Sequence, residues 1–197
     1  MSAENKRIFR EMNFSEVESW YNTELKEAFA ENERKPLGDI VSLMKEKKYE
    51  VWGLFEENHL LGYAGLWKAH DIPLVLLDYL GVTAKLRNHG LGAEIVKHLK
   101  TLGSPLVTES ELPVEGDSEK ENSIRVHRIN FYRRNGFVPA YKMATCGMRW
   151  QALLMNAEKS SLETIMKWHK GLYGPARTDV MIPLAKEERP SMPYWMK

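Results

Sequence analysis

The chain has 197 residues, 43% of them hydrophobic and 28% charged, with a formal net charge of +1. That size and composition suit one substantial domain, or a domain with an appendage, and the balanced charge gives no push toward nucleic acid or an anionic membrane. No run of 18 apolar residues offers a transmembrane helix, and MSAENKRIFREM at the N-terminus lacks the apolar stretch of a secretory signal, so a cytoplasmic protein without membrane attachment is expected.

Residues 8–12 read as a first strand. Ser15 and Glu18 have the spacing of a capping box, which opens a helix through about Ala30 with Trp20, Leu25 and Phe29 on its buried face. Pro36 suits the first turn of a second helix, where Leu37, Ile40, Val41 and Met44 recur at helical spacing to near Lys48. Residues 49–56 and 59–68 read as a hairpin around Glu57-Asn58. An Asp71-Ile72-Pro73 turn then feeds a strand over 74–82 that is apolar except for Asp78, the pattern of a strand covered on both faces.

Gly90 and Gly92 stand where the next helix begins. Its apolar stripe is Leu91, Ile95, Leu99 and Leu102, and Gly103 closes it. Residues 106–110 form a fifth strand, and 113–121 a polar, mobile loop. Asn122 or Ser123 caps a helix from Ile124 to about Asn135, stopped by Gly136. A second hairpin, 137–143 with 148–155, turns at Thr145-Cys146-Gly147. A last helix spans 158–172, and the tail beyond Gly174-Pro175, with Pro183, Pro190 and Pro193, reads as irregular. The order β-α-α-β-β-β-α-β-α-β-β calls for a mixed sheet with helices on its faces, an α/β architecture.

A helix N-terminus carries unpaired N–H groups and the positive end of a dipole, and glycines let a phosphate approach closely. Residues 87–93 therefore read as a pyrophosphate cradle. The spacing R-x-x-G-x-G, filled by Arg87, Gly90 and Gly92, resembles the acyl-CoA loop of the GNAT acetyltransferases. Phe131-Tyr132-Arg133-Arg134-Asn135-Gly136-Phe137 resembles the FYxxxGF block of the same family. Together with LLDYLGV and TESELP, these blocks look like its bacterial branch with unassigned acceptors.

The resemblance implies a GNAT fold over 1–156, a mostly antiparallel sheet of about seven strands flanked by helices, with 157–197 as a further helix and extension packed on the same domain. It implies acetyl-CoA as the donor. Leu80, Gly81 and Val82 would meet the pantetheine arm, and Arg87, Asn88, His89, Gly90, Leu91, Gly92 and Ala93 the pyrophosphate. Transfer would occur where strands 74–82 and 106–110 splay apart. A small-molecule or peptide amine would attack the thioester directly in a ternary complex, with no metal. The acceptor site would be lined by the first two helices, the 68–73 turn, the 111–122 loop and the last hairpin, where Asp71, Glu111, Glu115 and Asp117 favour a cation.

Tyr132 holds the position of the family's general acid toward the leaving thiolate. For the base, the residues leave several options open. Asp78 in an apolar strand needs a reason, because burying an unpaired carboxylate is expensive. Glu109 and Glu111 share a face of the fifth strand. Each is a base candidate or half of a structural ion pair, and Arg128 is the expected partner of Glu109 or Glu111. Arg125 stands where the family usually has Asn. His89 reads as solvent-exposed, the other histidines show no shared metal-ligand spacing, and Cys146 has no adjacent cation in sequence to activate it. Rival readings are a non-catalytic acyl-CoA sensor, which the C-terminal helix and tail could gather into homodimers, and a nucleotide-phosphate binder. The second lacks the Lys-Ser/Thr that a P-loop places after its glycines.

Overall fold

A computed structural model describes residues 6–29, 31 and 34–193. Its seven strands form one mixed sheet in the order β1-β2-β3-β4-β5-β7-β6, flanked by helices. They are β1 (Arg7–Glu11), β2 (Tyr49–Glu56), β3 (His59–Ala69), β4 (Ile72–Val82), β5 (Leu106–Glu111), β6 (Val138–Thr145) and β7 (Met148–Met155). The chain divides into two compact units, Met1–Lys68 with Leu77–Leu102, and Ala69–Leu76 with Gly103–Lys197.

In the first unit β1, β2 and β3 pair antiparallel in sequence-adjacent order. Helix α1 (Phe14–Trp20) starts two residues earlier than its Ser15 suggests. Asn13 is the cap: its side-chain oxygen accepts the Glu16 N–H at 3.0 Å, and the Glu16 carboxylate accepts the Asn13 N–H at 2.9 Å. The nearby Arg10 guanidinium binds both Glu16 oxygens and holds that carboxyl at about 2. Ser15 is therefore an interior residue of α1, not its cap.

The helix widens to a π-turn over Tyr21–Leu25 before a short α2 (Lys26–Ala28). Asn22 and Thr23 donate their side-chain hydrogens to the carbonyls of Glu18 and Ser19, four residues back, which disturbs the α ladder there. The expected helix end at Ala30 lies outside the described residues. Trp20 and Leu25 are buried as expected, and Phe29 packs half-buried against the same core with Tyr49, Val51, Tyr63 and Tyr79. Helix α3 (Leu37–Lys45) takes Pro36 as its N-cap and presents Ile40 to that core. Helix α4 (Leu91–Thr101) buries Leu91, Ile95, Val96 and Leu99; Leu102, expected on the same stripe, is its exposed C-cap.

In the second unit β7 is flanked by β5 and β6, both antiparallel to it. Helix α5 (Glu119–Arg134) is five residues longer at its start than its sequence suggests, because Ser118 forms a capping box with Glu121. The preceding loop is braced: Asn122 accepts the Val114 N–H and donates to the Val114 carbonyl, both at 2.9 Å. Asn122 thus ties down the loop expected to be mobile instead of capping a later helix. Helix α6 (Leu162–Tyr173) is capped by Ser161 and ends at Gly174, where φ is +78°. The tail follows β6 for a short distance, with Ala144 and Met181 exchanging N–H···O bonds at 3.1 and 2.9 Å.

Candidate active site

After β4 the chain runs through a 3₁₀ turn, Ala84–Leu86, into an exposed loop. Asn88 adopts φ +67° and Gly90 φ +80°, so the chain turns twice through left-handed backbone before α4 begins. Gly90 is the N-cap, and among the described residues no side chain bonds the N–H groups of the first turn. A β-carbon added at Gly90 would meet nothing within 4 Å. The sequence thus delivers an uncapped, glycine-bordered helix N-terminus to solvent, the electrostatic requirement for holding an anion. Arg87 is exposed in this loop. His89 is exposed too, and its Nδ1 lies 2.8 Å from the Arg87 carbonyl, so the imidazole braces the loop.

Leu80, Gly81 and Val82, at the end of β4, are half-buried. A β-carbon on Gly81 would come within 2.3 Å of the Tyr63 hydroxyl. That hydroxyl is buried, and among the described residues it has no hydrogen-bond partner; burial pushes its ionisation well up. An unmet buried hydroxyl costs about 1–3 kcal/mol. Tyr63 was not legible as a site residue, since nothing in an apolar strand pattern distinguishes a packed tyrosine from an unpartnered one. Its neighbour Trp20, with ring centroids 5.3 Å apart, likewise keeps a buried indole N–H without a partner among the described residues.

Asp78 has ample reason to be in its strand. Lys35 Nζ donates to both carboxylate oxygens at 2.8 Å, and the Tyr49 hydroxyl donates to Oδ2 at 2.7 Å. Burial and then the Asp78 charge push the Tyr49 hydroxyl well above its ordinary range. Lys35 also sits 4.5 Å over the Trp67 ring. Both oxygens of Asp78 are engaged, the arrangement of a structural ion pair.

In the second unit, strand alternation sets Thr108 and Ser110 on one face of β5 and Glu109 on the other. Tyr132 of α5 is 7% exposed and hydrogen-bonds with Thr108. Burial raises its hydroxyl, opposed by that bond and by the charge of Arg128. Ser110 Oγ is fully buried and without a partner among the described residues.

On the opposite face Glu109 accepts a 2.6 Å hydrogen bond from Tyr173 of α6, and His169 Nε2 lies 2.9 Å from the same oxygen. Glu111 pairs with Arg125 at 2.9 Å, and Arg125 also binds Asp117 at 2.7 Å. The pairing expected of Arg128 therefore belongs to Arg125. Arg128 is exposed, and the partners of Glu109 come from α6. Folding also supplies Cys146 with a cation absent from its sequence neighbourhood: Arg177 Nη2 stands 3.5 Å from Sγ. Asp179 already meets that guanidinium with two 2.9 Å contacts, so its charge is spent on an ion pair.

Residues 47–139, which include both the Gly90 loop and the Phe131–Phe137 block, match a family model described as an acetyltransferase (GNAT) domain. YjbC of Bacillus subtilis (strain 168), a candidate acetyltransferase, is 29% identical over 150 residues, which is 76% of this chain and 70% of that protein. A candidate GNAT-family acetyltransferase from Bacteroides thetaiotaomicron has a similar structure, with TM-score 0.63 at 24% identity over 85% of this chain and 98% of that one. An aminoglycoside 6'-N-acetyltransferase, solved in complex with coenzyme A, shares the fold at TM-score 0.54 and 14% identity, over 75% of this chain and 95% of its own. Sheet order, glycine loop and the match over residues 47–139 agree in their likeness to the GNAT acetyltransferases.

Proposed function

We propose that this enzyme transfers the acetyl group of acetyl-CoA to a primary amine by direct attack in a ternary complex. The observation that carries the reading is the uncapped N-terminus of α4, opened by Gly90 at φ +80°. The N–H groups of 91–93 suit a pyrophosphate, and Arg87, Asn88 and His89 border them. At the end of β4, the unpartnered Tyr63 hydroxyl beside Gly81 offers a hydrogen bond to the amide-rich pantetheine arm. The residues present fit the cosubstrate.

Acetyl-CoA, when bound, supplies an activated thioester. The amine nitrogen attacks the carbonyl carbon, the C–S bond breaks, the amine loses a proton and the sulfur gains one. Tyr132 is assigned the proton that goes to sulfur. Its hydroxyl stays protonated near neutrality because burial raises it. Glu109 is assigned the proton from the amine. Asp78 is given a structural role, since Lys35 and Tyr49 occupy both of its oxygens.

A thiol-release screen with acetyl-CoA against simple amines, amino acids, polyamines, aminoglycosides and peptides tests this reading. Release that depends on one amine class, with the acetylated amine seen by mass spectrometry, is expected. Saturable CoA binding with no release across the panel would sink it in favour of a non-catalytic sensor.

A further inference from the structure

Asp78 and Glu109 both lie in half-buried strand positions, and they are held in different ways. Asp78 has both oxygens filled. The contacts of Glu109 all fall on Oε1, where the Tyr173 hydroxyl donates at 2.6 Å and His169 Nε2 stands 2.9 Å away. Among the described residues Oε2 has no partner, and no lysine or arginine pairs with Glu109. His169 is fully buried, the Glu109 side chain is 13% exposed, and the other imidazole nitrogen lies 2.8 Å from the Tyr141 hydroxyl. His169 Nε2 stands close to Oε1 but is not aligned for a hydrogen bond, so among the described residues the hydrogen bond that holds the Glu109 carboxylate comes from Tyr173. His169 and Tyr173 are four residues apart on α6, so one face of that helix carries both.

A carboxylate buried for stability gains from filling every acceptor position. A carboxylate held by one oxygen, with the other left open, is arranged to take up a proton. Residues 162–173 lie beyond the 47–139 match to the family domain, so this support comes from the C-terminal part of the chain.

We propose that α6 belongs to the catalytic machinery: Tyr173 is a positioning residue that holds the Glu109 carboxylate by Oε1 and leaves Oε2 to receive the proton of the attacking amine. The inference rests on Glu109 being the base in the proposed acetyl transfer. In that step the amine N–H proton passes to Oε2, the nitrogen lone pair forms the new C–N bond, and the C–S electrons leave on sulfur. Glu109 then returns its proton to solvent.

The test is a double-mutant cycle on the full chain, with kcat and KM for both substrates and a melting curve for each variant. The best amine from the thiol-release screen is the acceptor. Glu109→Gln is expected to lower kcat by about 100-fold or more. Tyr173→Phe removes one oxygen and is expected to lower kcat about tenfold, the effect of one hydrogen bond to a charged group, with KM for acetyl-CoA within about twofold. In the Glu109→Gln background, Tyr173→Phe is expected to cost nothing more, because its effect runs through Glu109.

Tyr173→Phe with wild-type kcat, or one that slows Glu109→Gln as much as it slows wild type, overturns the inference. Full turnover by Glu109→Gln overturns the base assignment together with this inference, and leaves acetyl transfer itself standing. A wild-type chain that acetylates no amine refutes the proposed function, and the inference falls with it.

Discussion

Tyr132 is buried and bonded to Thr108, so its hydroxyl is held in place rather than solvent-facing, as the proposed acid role requires. Tyr132→Phe keeps the ring contacts with Phe131 and Phe137 and removes only the acid. It should lower kcat by about 100-fold, within the usual range for general acid catalysis, while CoA affinity by calorimetry stays within about threefold. Unchanged turnover would exclude Tyr132 as the acid. Lys35→Met makes the opposite kind of change, leaving Asp78 with the Tyr49 hydroxyl alone. Lys35 and Asp78 are 25% and 14% exposed, so solvent softens the penalty of a broken buried pair to about 1–3 kcal/mol by urea denaturation. Turnover per folded molecule should be retained, and a large loss would return Asp78 to the list of catalytic candidates. At this scale sequence shows need better than it shows partners. Asp78 in an apolar strand visibly requires a cation, yet Lys35 lies 43 positions away and only packing selects it. Arg125 was preferred to Arg128 for a similar reason, since the start of α5 at Ser118 and the bracing of Asn122 decide which arginine reaches Glu111.

Helices were legible in order because apolar spacing extends over several turns, whereas their ends and interruptions depend on one or two residues each. Around α1 both Asn13 and Ser15 are good caps. Arg10, by binding Glu16, favours Asn13, and no local pattern records that. The π-turn at Tyr21–Leu25 follows from two side chains competing for backbone carbonyls, which periodicity does not register. The N-terminus of α4 was legible because glycine there has few alternative meanings. It allows a comparison between the two ends of one helix, since Gly90 (φ +80°) and Gly103 (φ +75°) both adopt left-handed backbone with open space where a β-carbon would go. Alanine at either position should cost about 1–2 kcal/mol from backbone strain. Only Gly90→Ala should also weaken CoA, by about tenfold in calorimetry, because only there would the new methyl stand where the pyrophosphate must come close. Equal affinities for the two variants would remove the anion site from the α4 N-terminus.

Across the whole chain, the seven strands and their order along the sequence were readable because most are short runs rich in apolar residues and bounded by turn residues. Contacts made by the C-terminal 40 or so residues were not readable, since His169, Tyr173, Arg177 and Asp179 find partners in β5, β6 and the β6–β7 turn only after folding. This makes the tail a contributor to acid stability. Asp179 accepts from Arg177, the Cys146 N–H and the Thr145 hydroxyl, and Arg177 above all holds its carboxyl at about 2. Glu16, in the other unit, is held at about 2 by Arg10. Both values lie below those of an unfolded chain, so each carboxylate adds stability above about pH 4.5 that is lost as pH falls toward 2. The Asp179 share is the larger, because Asp179 is 1% exposed while Glu16 is 28% exposed and screened by water. Asp179→Asn should therefore lower stability by about 1–2 kcal/mol at pH 7 and narrow its deficit as pH drops from 4 to 2, where the wild-type carboxylate also takes up its proton. A variant whose deficit stayed constant across that interval would mean that the side chain contributes through shape and hydrogen bonding, and that its charge on the β6–β7 turn is incidental.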